Sequence, residues 1–219
     1  MIVAIDGPAG VGKSTVAKLL ASRLGFLYLD TGALYRSLGW AVLKHRVEPA
    51  DAKAVEGLLG KLSLQMQVTN NDVSVSVNGM DVTRELRTPA VSEAASVVSA
   101  IPAVRAWLLP VQRQIGQQGS VVAEGRDIGT KVFPSAPVKF FLEADPNIRA
   151  QRRHRELVGA GHSGAIEQTS AELSGRDDRD RSRSLAPLVA AEDALHIDTS
   201  RLSVEEVVNR MVAVVSAKL

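Results

Sequence analysis

Gly7-Pro8-Ala9-Gly10-Val11-Gly12-Lys13-Ser14 is the stretch on which the fold turns. It matches G-x-x-x-x-G-K-[ST] and follows a short apolar run, Ile2–Ile5, that is closed by Asp6. A helical pattern comes next. Strand, glycine-rich loop and helix in that order make a phosphate cradle. The glycines let successive backbone N–H groups curl around an anion, and the helix starting near Lys13 adds the positive end of its dipole. In this setting Lys13 reaches the outer phosphates and the Ser14 hydroxyl is a ligand for Mg²⁺.

Four more short β-rich runs follow the first: Phe26–Leu29, Val121–Ala123, Val138–Leu142 and Leu195–Ile197. Each leads into a polar or acidic residue and then a helical pattern, which predicts a parallel α/β sheet with helices on both faces. The final helix is marked by a capping box, Ser203 with Glu206, and by an apolar stripe of Val207, Val208, Met211, Val212 and Val215. One stretch breaks the rhythm. Leu62–Val68 and Val73–Val77 alternate with period 2 around Thr69, Asn70, Asn71 and Asp72, and Asn78-Gly79 turns the chain into Asp81–Thr83. That pattern predicts a small antiparallel meander, inserted at roughly residues 58–97. Thr88-Pro89 reads as an N-cap and first helical position. Pro110 should kink or split the helix expected over Pro102–Gln118.

Composition narrows the function classes. At 219 residues without cysteine, the chain can bury one sizeable core, and thiol catalysis, disulfides and Cys-bound zinc are excluded. A net charge of +2 argues for no polyanion partner. No apolar run approaches the ~20 residues of a membrane span, and no secretory signal pattern opens the chain, so a cytoplasmic protein is the expectation. The arginine count is more telling, at 18 against 8 lysines. Arginine's planar fork grips phosphate and carboxylate in a bidentate way. Eight arginines and no lysine fall between residues 149 and 183, so the excess is local.

Two further clusters sit where the ligands of an open α/β sheet bind, and two arginine-bearing segments lie further along the chain. Asp30-Thr31-Gly32-Ala33-Leu34-Tyr35-Arg36 follows the second strand, with Thr31 read as a helix cap and anion ligand. Glu124-Gly125-Arg126-Asp127-Ile128-Gly129-Thr130 follows the third. Arg176, Asp180 and Arg183 share one helix face at i, i+4, i+7, an arrangement suited to a sugar hydroxyl beside a phosphate. Asp177, Asp178, Arg179 and Arg181 read instead as a solvated face laced by pairs such as Asp177–Arg181. Arg149, Arg152, Arg153 and Arg155 follow a helix start at Asp145-Pro146 and precede a small-residue loop, Gly159–Gly164. No N-K-x-D guanine reader is present, and Leu173-Ser174-Gly175-Arg176 departs from L-S-G-G-Q at its fourth position. A small phosphotransferase, with its second substrate on the insertion, remains.

Over nearly its whole length the chain resembles the bacterial cytidylate kinases, on the Gly7–Ser14 loop, Asp30–Arg36, Glu124–Thr130, Arg176–Arg181 and Ala186-Pro187-Leu188. The resemblance implies a P-loop nucleoside monophosphate kinase: a five-stranded parallel sheet with helices on both faces, plus a small antiparallel insertion that binds the monophosphate. It implies a core of residues 1–57 and 98–219, an insertion of 58–97 and a short lid at 149–165, closing without the zinc knuckle of some related kinases. The implied reaction moves the γ-phosphoryl of ATP to CMP or dCMP, with Mg²⁺. ATP is then expected on Gly7, Pro8, Ala9, Gly10, Val11, Gly12, Lys13, Ser14 and Thr15, and the metal on Ser14 and Glu124, where many relatives have Asp. Thr31 stands in place of a common Ser. Cytosine is expected on Ser96, Arg105 and Asp127. The ribose falls to Asp180 helped by Arg176, and the acceptor phosphate to Arg36, Arg126 and Arg183. Arg149 and Arg153 are the lid arginines expected at the transferring phosphoryl, beside Lys13. A carboxylate suits the N4 donor of cytosine and would mispair with O4 of uracil. A kinase for UMP or dTMP is the alternative within enzymes. A nucleotide-dependent switch binding nucleic acid is the other, opposed by the acids interleaved among the arginines. A monomer with no nucleic-acid or membrane partner is expected.

Overall fold

In a computed structural model, which describes residues 1–69 and 72–219, the five apolar runs form one sheet. They are β1 (Ile2–Asp6), β2 (Leu27–Asp30), β6 (Val121–Glu124), β7 (Val138–Glu143) and β8 (Leu195–Asp198), in the order β2-β6-β1-β7-β8 with every pairing parallel. Their side chains alternate between faces. Val3 and Ile5 pack with α1 (Lys13–Leu24) and α8 (Val204–Ser216), whereas Ala4 packs with Ile115 of α5 (Pro102–Gly116) and with Ile128 and Val132. Four of the strands are almost wholly buried, as a covered parallel sheet requires, whereas the edge strand β8 leaves Leu195, His196 and Asp198 exposed.

The helix boundaries follow their local chemistry. Gly25, at φ 66°, ends α1 in the left-handed conformation that glycine tolerates best. Ser203 and Glu206 close the capping box that starts α8. Thr88 caps α4 (Pro89–Val98), with Pro89 in the first turn. Helix α5 runs unbroken through Pro110, against the expected split. Pro110 and Ala106 both face solvent, so water can take up the Ala106 carbonyl left without a partner.

The meander is present as β3 (Leu64–Thr69), β4 (Asp72–Val77) and β5 (Met80–Asp81). Asn70 and Asn71, within the first expected turn, lie outside the described residues. Asn78 (φ 51°) and Gly79 (φ 79°) form the second turn, both in the positive-φ region that tight hairpins favour. The third strand ends at Asp81 rather than Thr83. Thr83 N–H donates to the Asp81 carboxylate at 2.8 Å, and its hydroxyl accepts from Val75 N–H at 2.9 Å. A side chain thus takes over the next rung of the ladder, and a 3₁₀ turn follows at Thr83–Arg87. This sheet packs its Val75 and Val77 on Ala33 and Ala41 of α2 (Thr31–Lys44). The same helix shares a second cluster with α3 (Ala52–Leu59) and α5. Residue 58, the expected start of the insertion, falls inside α3.

Between β7 and β8 lie α6 (Pro146–Gly159), capped by Asp145, and α7 (Ile166–Ser182). The expected helix start at Asp145-Pro146 is therefore real. No single described helix is long and apolar enough to cross a membrane.

Candidate active site

Three adjacent strands end in acids at the carboxyl edge of the sheet: β2 in Asp30, β6 in Glu124 and β1 in Asp6. Asp30 and Glu124 are register partners, which puts two carboxylates side by side. Burial, and next the Asp30 charge, push Glu124 above the usual carboxylate range. Lys13 opposes this from the loop before α1. Its ammonium is buried and donates to the Pro8 carbonyl at 2.7 Å. Desolvation, then the charge of Arg126, pull it well below the usual lysine range, and a bound polyphosphate would favour its charged form.

The loop is shaped for backbone contacts. Gly7 has φ 149°, and a Cβ there would fall 2.3 Å from the Leu142 carbonyl oxygen, so only glycine fits. Ala9, Gly10, Gly12, Lys13, Ser14 and Thr15 line the cleft, while Val11 turns into the core at 1% exposure. Hard oxygen donors stand where a divalent cation is implied: the Ser14 hydroxyl on the cleft wall and the buried Glu124 carboxylate beside Asp30. A buried carboxylate and a hydroxyl, both hard oxygen donors, fit Mg²⁺ chemistry.

Across from the loop, the cleft gathers residues from distant parts of the chain. Its lining includes eight Lys and Arg side chains against five Asp and Glu, an imbalance that suits phosphates. Thr31, Arg36, Ser96, Arg105, Glu124, Arg126, Asp127, Arg153, Arg176, Asp180 and Arg183 all line this one space. Arg126 Nε donates to Asp180 Oδ2 at 2.9 Å. Burial would raise Asp180, but Arg126, Arg176 and Arg183 outweigh it and hold the carboxyl below its usual range. Arg176 is pulled down to about 10 by burial and then by Arg126, and its buried Nε has no partner among the described residues. These are cations held ready for an anion. Arg36 pairs with Asp30 at 2.7 Å.

Asp30, rather than Thr31, caps α2, by accepting from Ala33 N–H at 3.0 Å. Thr31 instead donates its hydroxyl to the Glu124 carbonyl at 2.7 Å. A carboxylate at the helix start satisfies both a free N–H and the dipole, and so displaces the weaker hydroxyl cap.

At the far end, Arg105 pairs with Asp127, both nearly inaccessible to solvent. Arg105 lies over the Tyr35 ring at 5.5 Å and donates to the Ser99 carbonyl at 3.2 Å. Burial pulls Arg105 down, yet Tyr35 and Asp127 leave it above its usual value. Ser96 joins this group from α4, on the other side of the bend between α4 and α5.

Arg149 is the expected lid residue that the cleft does not include. It is buried behind the phosphate loop, where it donates to the Ala9 carbonyl at 3.1 Å and pairs with Asp177. Asp177 also accepts from Ala9 N–H at 3.3 Å. The solvated reading of Asp177 is thus corrected: at 2% exposure it is a strut. Thr169, Leu173, Asp177 and Asp180 make the buried stripe of α7, and that spacing was the available signal. Arg179 keeps 37% of its side chain in solvent, as expected of that face, while also bonding Ser96 and Glu93 on α4. Arg153 does line the cleft, paired with Glu156 at 3.1 Å.

Asp6 carries a second role that sequence reading missed. Its two oxygens accept from Ile128 N–H and Gly129 N–H, each at 2.8 Å, and so set the loop that bears Arg126 and Asp127. Burial, above all, pushes Asp6 up to about 6 from 3.8. The folded state then holds this proton more tightly than the unfolded chain. The resulting stabilisation is full below about pH 3.8 and is lost as pH rises through about 6. It amounts to about 3 kcal/mol. Denaturant titrations from about pH 4 to about pH 7 should therefore show Asp6→Asn gaining on the wild type by up to that amount. A gap that stays flat across the range would rule out the buried titration.

Comparison with known proteins places the chain in a family. The cytidylate kinase family model matches residues 3–217. Cytidylate kinase of Carboxydothermus hydrogenoformans is 45% identical over 218 residues, covering 100% of this chain and 98% of that protein. The Geobacter sulfurreducens protein of the same name is 45% identical over 98% of this chain and 92% of its own length. That of Mycobacterium leprae is 45% identical over 100% and 96%. A solved structure of an uncharacterised protein from Eubacterium ventriosum shares the fold, with a TM-score of 0.57 at 13% identity over 99% of this chain and 98% of its own. Because the match runs from Val3 to Ala217, and whole relatives share nearly half their residues with it, the chain belongs to the cytidylate kinase family.

Proposed function

We propose that the chain transfers the γ-phosphoryl group of ATP to CMP or dCMP, releasing ADP and CDP or dCDP. The observation that carries this is the buried Asp127–Arg105 pair beside Ser96, at the opposite end of an arginine-lined cleft from the phosphate loop. Asp127 offers acceptors to the cytosine amino group, while Arg105 and Ser96 offer donors to N3 and O2. Asp180 and Arg176 hold the ribose. Arg36, Arg126 and Arg183 hold the acceptor phosphate.

An oxygen of the CMP phosphate attacks the γ-phosphorus in line; the new P–O bond forms as the bond to the ADP oxygen breaks. The attacking phosphate is already ionised at neutral pH, so no general base is needed. Lys13, Arg126, Arg153 and Arg183 gather charge around the transferring group, and positioning with charge neutralisation makes up most of the catalysis. Ser14 and Glu124 would hold Mg²⁺, which supplies further neutralisation of the donor phosphates. The insertion, residues 58–97, forms the acceptor wall, and 149–165 belong to the lid; their approach would exclude water from the reaction. The cleft is built within one chain, which supports a monomer, and we assign it to the cytoplasm without nucleic-acid or membrane partners.

Coupled ADP release with Mg-ATP and each of CMP, dCMP, UMP and dTMP tests the reading. CMP and dCMP should turn over fastest. Equal rates for CMP and UMP would overturn the cytosine assignment, and no transfer to any monophosphate would overturn the kinase.

A further inference from the structure

Arg179 belongs to none of the roles above, yet it ties the two walls of the cleft together. It projects from α7 to α4, where Nε–H donates to Ser96 Oγ at 3.2 Å and Nη2–H donates to Glu93 Oε2 at 2.8 Å. Glu93 and Ser96 are three residues apart on α4 and so share a face. One planar fork thus meets both, with the carboxylate fixing the plane of the guanidinium and the serine taking its other edge.

The consequence is chemical. A guanidinium can only donate, so Ser96 Oγ must accept this bond. A serine hydroxyl has a single hydrogen, and a neighbour that donates to its oxygen leaves that hydrogen to be given elsewhere. Ser96 is 3% exposed on the cleft wall, and no described residue accepts its hydrogen. Without Arg179 the hydroxyl could rotate and either donate or accept. With Arg179 in place one lone pair is engaged and the hydroxyl is polarised, which biases it towards donating to a ligand in the cleft.

We propose that Arg179 is a specificity-determining positioning residue: it biases the Ser96 hydroxyl towards donating a hydrogen bond, so the cleft favours a pyrimidine that presents an acceptor there. The discrimination is made at N3, which is an unprotonated acceptor in cytosine and an N–H donor in uracil; O2 is an acceptor in both. Asp127, which can only accept, and Ser96, biased towards donating, then check opposite polarities of the same base. This inference rests on the cytidylate reading of the same cleft and adds to it a residue that touches no substrate.

The test uses the full-length enzyme with kcat/KM for CMP and for UMP, and KM for ATP, in wild type, Arg179→Met, Arg179→Lys, Ser96→Ala and the Arg179→Met/Ser96→Ala double variant. Arg179→Met should lower kcat/KM for CMP about ten-fold and hardly change that for UMP, the scale of one charge-assisted hydrogen bond. The CMP/UMP ratio should narrow accordingly, with KM for ATP unchanged. Arg179→Lys should recover part of the ratio, since an ammonium also donates only. In the Ser96→Ala background, removing Arg179 should add no further narrowing. Equal losses with CMP and UMP, or the same narrowing whether or not Ser96 is present, would overturn the inference. A change confined to the CMP/dCMP ratio would also overturn it, because the hydroxyl would then face the sugar. Should Arg179→Met fail to fold, Arg179→Lys and Ser96→Ala carry the comparison. A wild type that shows no preference for CMP sinks the cytidylate reading itself; a wild type that prefers CMP beside an Arg179→Met variant that keeps the preference sinks only the role of Arg179.

Discussion

Asp127→Ala should lower kcat/KM for CMP by roughly 10²- to 5 × 10³-fold, with KM for ATP moving by no more than about two-fold. The size follows from what is left behind. Arg105 is 8% exposed and pairs with Asp127, so the alanine variant strands a buried guanidinium. Breaking a buried pair from one side costs about 3–5 kcal/mol, and each 1.36 kcal/mol is a factor of ten. The cytosine amino group loses its acceptor in the same step. ATP should be little affected, because its loop is built from Gly7–Ser14 and does not touch this pair. Asp127→Asn keeps the volume and one acceptor but not the charge, and should fall between wild type and alanine. Initial rates with each nucleotide varied in turn check the split; a matched loss for ATP and CMP would contradict the base-reading role.

Asp177→Ala should destabilise the protein by about 3–5 kcal/mol, and for a chain of this size lower the melting temperature by on the order of 10 °C. Asp177 is 2% and Arg149 7% exposed, so the variant leaves an uncompensated cation under the phosphate loop and an unpartnered N–H on Ala9. Replacing both charges, as Arg149→Met/Asp177→Leu, should recover much of the melting temperature, since a buried pair removed whole is often neutral. Activity should not recover with it, because Ala9 loses both of its tethers. Calorimetry and steady-state rates on the three proteins measure this. An alanine variant melting within about 2 °C of wild type would show that the strut bears no weight.

The pattern of what was readable follows from distance along the chain. Caps, turns and strand runs depend on neighbours within a few residues, so Thr88-Pro89, Ser203–Glu206 and Asn78-Gly79 could be placed from the sequence. Cap choice at Asp30-Thr31 could not, because the Thr31 hydroxyl has a competing partner in the Glu124 carbonyl, 93 positions away. Asp6 escapes notice, and Asp177 reads as solvated, for the same reason, since Gly129 and Ala9, which they bind, lie 123 and 168 positions off. Arg149 illustrates the converse error. An arginine on a lid-bearing helix near the loop suggested a role at the phosphoryl group, but the helix phase turns it behind the loop, and its neighbour Arg153 faces the cleft instead.

By itself the sequence determined the phosphate loop, the five parallel strands, the antiparallel insertion and the stock of arginines among acids, since all of these are written in local pattern and residue chemistry. Tertiary structure alone decided which charges face substrate and which face each other. Asp177 and Asp180 lie one helical turn apart, yet the first braces the phosphate loop and the second lines the acceptor cleft. The physical reason is that a charged side chain takes its role from the partner and the burial it finds. For these residues both come from helices and strands that meet only once the sheet has assembled.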